Sequence, residues 1–136
     1  MFRALAVTLI LALSQPLAGC AAVGVTLLGL GAGLGASHQL GGIGYRTFTD
    51  TLPHVKRATM TALSRMAIAV KDVEKMENGE RIKATAGDRD IEIELESLTS
   101  KTTRMRTVAR KNGGLIVDSA TAVEIIIQTE KVLTNT

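Results

Sequence analysis

Residues 90–98 read D-I-E-I-E-L-E-S-L. Ile91, Ile93 and Leu95 fall on one side of a pleated strand and Glu92, Glu94 and Glu96 on the other, the period of two that marks a sheet with one buried face. A Thr99-Ser100-Lys101 turn leads into T-T-R-M-R-T-V-A-R at 102–110. A tight hairpin between these runs sets Glu96 beside Arg104, Glu94 beside Arg106 and Leu95 beside Met105. One register then pairs charges on one face and apolar groups on the other. Upstream, Ile68–Met76 is apolar and β-branched, with an alternation that slips near Asp72 and predicts a bulge. Asn78-Gly79 signals a two-residue hairpin into 80–86, where Ile82, Ala84 and Ala86 alternate, and Gly87-Asp88 turns again.

On either side of these strands the period changes to that of a helix. Leu52, Val55, Ala62, Leu63 and Met66 keep three- and four-residue spacing, and Thr59 is the polar member of the stripe. Asp50 or Thr51 can cap this helix and Pro53 falls in its first turn, so it is predicted over about 51–66. After Asn112-Gly113-Gly114 breaks the chain, Asp118 or Ser119 caps a second helix. Its stripe is Ala122, Val123, Ile126, Ile127, Glu130 and Leu133, with Glu130 the polar exception. The β-branched run Val123-Glu-Ile-Ile-Ile leaves a strand open as an alternative. The predicted order is helix, four antiparallel strands, helix. Both helices cover one face of the sheet, giving a two-layer α+β domain over 46–136.

The N-terminal third follows neither period. After Arg3, Ala4 to Leu13 is apolar except for Thr8, too short to span a bilayer, and Ser14-Gln15-Pro16 ends it. That is the pattern of a secretory signal. Leu17-Ala18-Gly19-Cys20 follows and contains the only cysteine of the chain. It resembles the lipobox of bacterial lipoproteins. The resemblance implies removal of residues 1–19, a diacylglyceryl group on the Cys20 sulfur, and acylation (a palmitate-type chain) of the new amino group. Several acyl chains anchor a protein durably where one does not. Ala21 after the cysteine, rather than Asp, implies the outer membrane. An ordinary secreted protein cut after Ala18 or Gly19 is the alternative.

Residues 21–44 carry eight of the 13 glycines and no formal charge. Gly29/Gly33 and Gly31/Gly35 form two G-x-x-x-G pairs, so residues 20–45 read as a lipidated Cys and a glycine-rich apolar spacer. The spacing suits a membrane-apposed glycine zipper, while glycine content alone suits a flexible tether. A dinucleotide loop is excluded, because no strand precedes it and no acidic residue follows at the ribose distance.

Composition narrows the function classes. With 136 residues, the chain holds one modest core. It has no Trp, one Tyr and two Phe, and none lies beyond Phe48. This argues against single-stranded nucleic acid, which is held on aromatic platforms. The formal charge of +3, or +2 without Arg3, is too small to imply a polyanionic partner. His38 and His54 have no ligand at metal spacing, and no Ser sits in an activated-nucleophile motif. Neither a catalytic site nor a metal or other cofactor is expected. The candidate contact surface is basic: Lys101, Arg104, Arg106, Arg110 and Lys111 could meet anionic headgroups or acidic cell-wall groups. The competing reading pairs them with the glutamates.

The lipobox, the Gly/Ala-rich spacer, Tyr45-Arg-Thr-Phe48, the A-x-x-x-A-L of Ala58–Leu63 and the strand-rich remainder resemble a group of short bacterial envelope lipoproteins catalogued only as a domain of unknown function. The resemblance implies a lipid-anchored α+β periplasmic domain and assigns no activity. The expected function is structural or partner-binding, with an envelope protein as partner. The alternative is a lipid- or small-ligand-binding module with an apolar pocket between helices and sheet.

Overall fold

The computed structural model describes residues 38–136. Leu17, Ala18, Gly19, Cys20 and the G-x-x-x-G pairs lie outside the described residues. In chain order the elements are β1 (His38–Leu40), β2 (Ile43–Phe48), α1 (Leu52–Arg65), β3 (Ala69–Met76), β4 (Gly79–Ala86), β5 (Arg89–Thr99) and β6 (Thr102–Lys111). A 3-10 turn (Asn112–Gly114), β7 (Ile116–Val117) and α2 (Ser119–Thr134) complete it. The sheet is antiparallel in the order β1-β2-β6-β5-β4-β3, with β7 paired to β6. β2 and β3 therefore run in the same direction on opposite sides of the sheet, and α1 carries the chain across its face.

The two-layer α+β architecture is as the sequence predicts. Val55 and Leu63 of α1 and Ala122, Ile125 and Ile126 of α2 pack with Ile82, Ile91, Ile93, Leu95 and Met105 in one core. Both helices therefore cover the same face. The predicted hairpin register holds in all three pairs: Glu94 lies opposite Arg106, Leu95 opposite Met105 and Glu96 opposite Arg104. The slip near Asp72 is a register shift between Val70 and Asp72.

Four differences have physical reasons. First, the sheet has more than four strands. β1 and β2 pair through a turn at Gly41 and Gly42, and β2 lies against β6. The sheet thus begins inside the stretch read as spacer. The core-side positions of β2 are Gly44, Arg46 and Phe48, which do not look like a core strand. Gly44 has no side chain because α2 sits over it: a Cβ there would meet Ile126 Cδ1 at 2.7 Å. Arg46 bonds Glu130 of α2, so the two polar exceptions satisfy each other. Second, the β3–β4 turn is centred on Glu77-Asn78, one residue before the predicted pair, since Met76 pairs with Gly79. Gly79 is needed for close approach instead: a Cβ would lie 1.9 Å from the Leu95 carbonyl oxygen.

Third, residues 119–134 are helical, so the strand alternative fails. Asp118 is the N-cap, but the buried stripe is Ala122, Ile125, Ile126 and Thr129. Ile127 is exposed and Val123 half-buried. Three consecutive isoleucines let the helix choose its rotation, and Thr129 is inward because its hydroxyl donates to the Ile125 carbonyl. Fourth, Thr51 is the N-cap of α1 by backbone conformation but makes no side-chain cap bond. Asp50 Oδ1 accepts from the Thr51 N–H at 2.7 Å instead. At the other end of α1, Ile68 N–H donates to Leu63 O and Ala67 N–H to Ser64 O. This Schellman closure has Ala67 at φ +56° in the place usually held by glycine.

Candidate functional site: the charged outer face of the sheet

Alternation along β3–β6 places Asp72, Glu74, Arg81, Lys83, Glu92, Glu94, Glu96, Arg104 and Arg106 on the face away from the helices. Antiparallel register lines them into rows across the strands. One row runs Glu74, Arg81, Glu94, Arg106, Tyr45 across five strands; charge alternates over the first four, and the neutral Tyr45 phenol ends it. Glu94 is its hub: Arg81 Nη2 lies 2.7 Å from one carboxylate oxygen and Arg106 Nη1 lies 3.1 Å from the other. Glu74 takes Lys83 Nζ at 2.5 Å and Arg81 Nη1 at 3.6 Å. In the neighbouring row Arg104 Nη2 meets Glu96 Oε2 at 2.5 Å.

These contacts shift the titrations in opposite directions. Partial burial pushes the Glu94 carboxyl up, but the two guanidiniums beside it outweigh burial and hold it below the usual range. The Lys83 hydrogen bond lowers Glu74, and the Glu94 hydrogen bond raises Arg81. Burial works against the Arg106 charge, yet the Tyr45 phenol and Glu94 raise its pKa overall. Glu74, Arg81, Glu94 and Arg106 are thus held in their charged forms at neutral pH. Such groups bind and orient; none is poised to exchange a proton. A hollow of about 300 Å³ lies over the row, lined by Tyr45, Met76, Glu94, Glu96, Arg104 and Arg106.

The five predicted basic residues do not form one surface. Arg104 and Arg106 are engaged by Glu96 and Glu94, as the competing reading expects. Lys101 is at the exposed β5–β6 tip. Arg110 and Lys111 sit at the opposite end of β6, and Lys111 lies 3.4 Å from Asp118. Asp118 is the most strongly held carboxylate described. Its oxygens accept from Arg89 Nε at 2.6 Å, Thr121 Oγ1 at 2.7 Å and Thr121 N–H at 3.2 Å. The Arg89 bond above all drives its pKa far below the usual range. The group ties the start of α2 to β5 and β6.

His54 does meet a carboxylate, with Nδ1 2.6 Å from Asp50 Oδ2. The pair is i,i+4 on a partly exposed helix start. Among the described residues no group of three or more His, Cys, Asp or Glu could hold a metal ion. No helix among them is long and apolar enough to cross a membrane. Sequence reasoning missed Arg81 and Tyr45. Arg81 had a readable signal: it is the outward neighbour of Ile82, across the 80–86 hairpin from the glutamate row. Tyr45 had none, because β2 was not recognised.

No curated protein matches this chain. A family model described as "Protein of unknown function (DUF3568)" matches residues 2–125, nearly the whole chain, and the protein belongs to that family.

Proposed function

We propose that this protein is a lipid-anchored, non-enzymatic component of the bacterial envelope. Acylated Cys20 holds it at the outer membrane, facing the periplasm, and the sheet domain serves a structural or partner-binding role. The observation that carries this reading is Leu17-Ala18-Gly19-Cys20, placed at the end of a short apolar segment and containing the chain's only cysteine. The charged outer face supports the partner-binding role, since ion pairs that alternate in sign favour a partner with complementary charges in register. The ligand-pocket alternative has less support: Leu63, Ile82, Ile93, Leu95, Met105 and Ile125 are 0 % exposed and fill the space between helices and sheet.

Intact mass of the membrane-extracted protein tests the anchor. The expected wild-type mass is that of residues 20–136 plus acyl groups, and Cys20→Ala loses the acyl mass. An unmodified wild-type mass, or one that retains residues 1–19, rejects the anchor. Crosslinking in the envelope, with Glu94→Arg as the control, tests the partner surface; an unchanged crosslinking pattern in the variant removes the outer face from that role.

A further inference from the structure

Six consecutive residues, 112–117, are exposed. Asn112, Gly113 and Gly114 all have positive φ, and they project an apolar trio into solvent. Leu115 is 86 %, Ile116 51 % and Val117 44 % exposed. Water-exposed side chains of this size are unfavourable unless something covers them, and three in a row mark a contact surface. β7 fixes Ile116 and Val117 on the sheet, with Val117 opposite Arg110 and Ile116 opposite Lys111. The backbone at Gly42 closes against it so tightly that a Cβ would lie 2.4 Å from Val117 Cγ1. Ile116 and Val117 are therefore held in place, and Leu115 projects beside them.

The charges beside it differ from those of the rest of the outer face. A second hollow, about 280 Å³, is lined by Lys71, Lys83, Asp90, Glu92, Val108 and Arg110 among others. Arg81, Lys83, Arg89, Arg104, Arg106 and Lys111 all make ion pairs. Lys71 and Arg110 make none with any described residue, although Asp90 is the cross-strand partner of Arg110. Arg110 thus stands directly beside Val117, and Lys71 lies on β3 at the same end of the sheet, with Asp90 between the two cations.

We infer that this end of the sheet docks on an anionic bilayer surface, with Leu115, Ile116 and Val117 entering the headgroup–acyl boundary and Lys71 and Arg110 facing lipid phosphates. Apolar groups at the boundary with cations at the rim are the composition of interfacial membrane contacts. A second copy of the chain fits less well. A two-fold contact through this patch brings Lys71 and Arg110 against the same cations of the other copy, and three side chains cover little of the roughly 800 Å² per partner of a stable interface. The inference deepens the membrane location proposed above, yet it uses no residue of the N-terminal segment.

The chain has no tryptophan, so one introduced Trp is a unique reporter. Leu115→Trp and, at the opposite end of the sheet, Leu98→Trp are compared in the full-length protein on vesicles of equal parts phosphatidylglycerol and phosphatidylethanolamine. The expected result is a blue-shifted emission, quenched by brominated lipid, for Leu115→Trp and a water-like emission for Leu98→Trp. Lys71→Ala or Arg110→Ala in the Leu115→Trp background lowers the docked-to-undocked ratio about fivefold each on these vesicles. Neither changes it on phosphatidylcholine. In Cys20→Ala the Leu115→Trp response persists at higher lipid concentration. Failure of the anchor therefore shows in the mass, and failure of the docking surface shows in the fluorescence. No lipid quenching of Leu115→Trp, or equal quenching at both positions, overturns the inference. So does a Leu115→Trp shift that needs no vesicles and grows with protein concentration, which assigns the patch to self-association.

Discussion

On β5, Ile93 and Leu95 are completely buried, while Glu92, Glu94 and Glu96 between and beside them stay partly in water. The same strand builds both faces, but different forces hold them. The core face excludes water from aliphatic side chains without one aromatic past Phe48. The outer face gains from alternating charges in high dielectric, where each pair contributes little and salt weakens it. Fold stability therefore resides mainly on one face. The largest test of that division is made within β5 itself. Leu95→Ala removes packing from a site with no exposed surface and is expected to cost about 3 kcal/mol. Leu98→Ala, on the same strand but 45 % exposed, is expected to stay within about 0.5 kcal/mol. Urea midpoints measured side by side check both. Equal losses would mean the two positions are not divided by burial as the structure places them.

Asp118 is where the division blurs, because a carboxylate is buried where the sheet meets α2. Asp118→Ala removes the cap of α2 and leaves Arg89 with only the longer 3.7 Å contact to Asp88; a loss of about 2 kcal/mol is expected in equilibrium unfolding. The pH dependence follows from the lowered pKa. The folded protein binds this proton less readily than the unfolded chain, so the contribution is fully present above the unfolded carboxylate value of about 4. It is lost progressively as the pH falls below that value toward the folded pKa. Wild type and variant should therefore differ most at neutral pH and approach one another in acid. A gap that stays constant down to about pH 2 would show that Asp118 acts through shape rather than charge.

The core layer is also not at its optimum. Ala67 closes α1 in the left-handed region, where a Cβ is unfavourable and glycine is not. Ala67→Gly is expected to stabilise the protein by about 1 kcal/mol, although a glycine loosens the unfolded chain. A rise in the urea midpoint with unchanged slope checks this.

How far the sequence could be read follows the same two-face logic. The β5–β6 register was legible because both faces carry information: apolar residues demand one side, and charges opposite one another demand one alignment. β4 and α1 were legible from one face each. β2 was not, because its inward residues are Gly44, Arg46 and Phe48, and the first two make sense only once α2 supplies Ile126 and Glu130. The rotation of α2 was illegible for the opposite reason, since Ile125, Ile126 and Ile127 offer the core more apolar positions than it uses. The candidate basic set was legible as residues but not as a surface. Sequence spacing places Arg104 and Arg110 on one face without revealing that one is neutralised and the other is not.

The smallest effect expected is also the one that most directly separates the faces. Arg104 and Glu96 pair near the β5–β6 tip, where both side chains are at least a third exposed. A double-mutant cycle with Arg104→Ala and Glu96→Ala should give a coupling of about 0.3 kcal/mol that disappears in molar salt. The same cycle on Arg106 and Glu94 should give a larger coupling that survives salt better, because Glu94 is only 19 % exposed and is shared with Arg81. The row that crosses five strands would then contribute more than a set of independent surface pairs. If both couplings are equally small and equally salt-sensitive, the outer face contributes nothing to the fold beyond solubility.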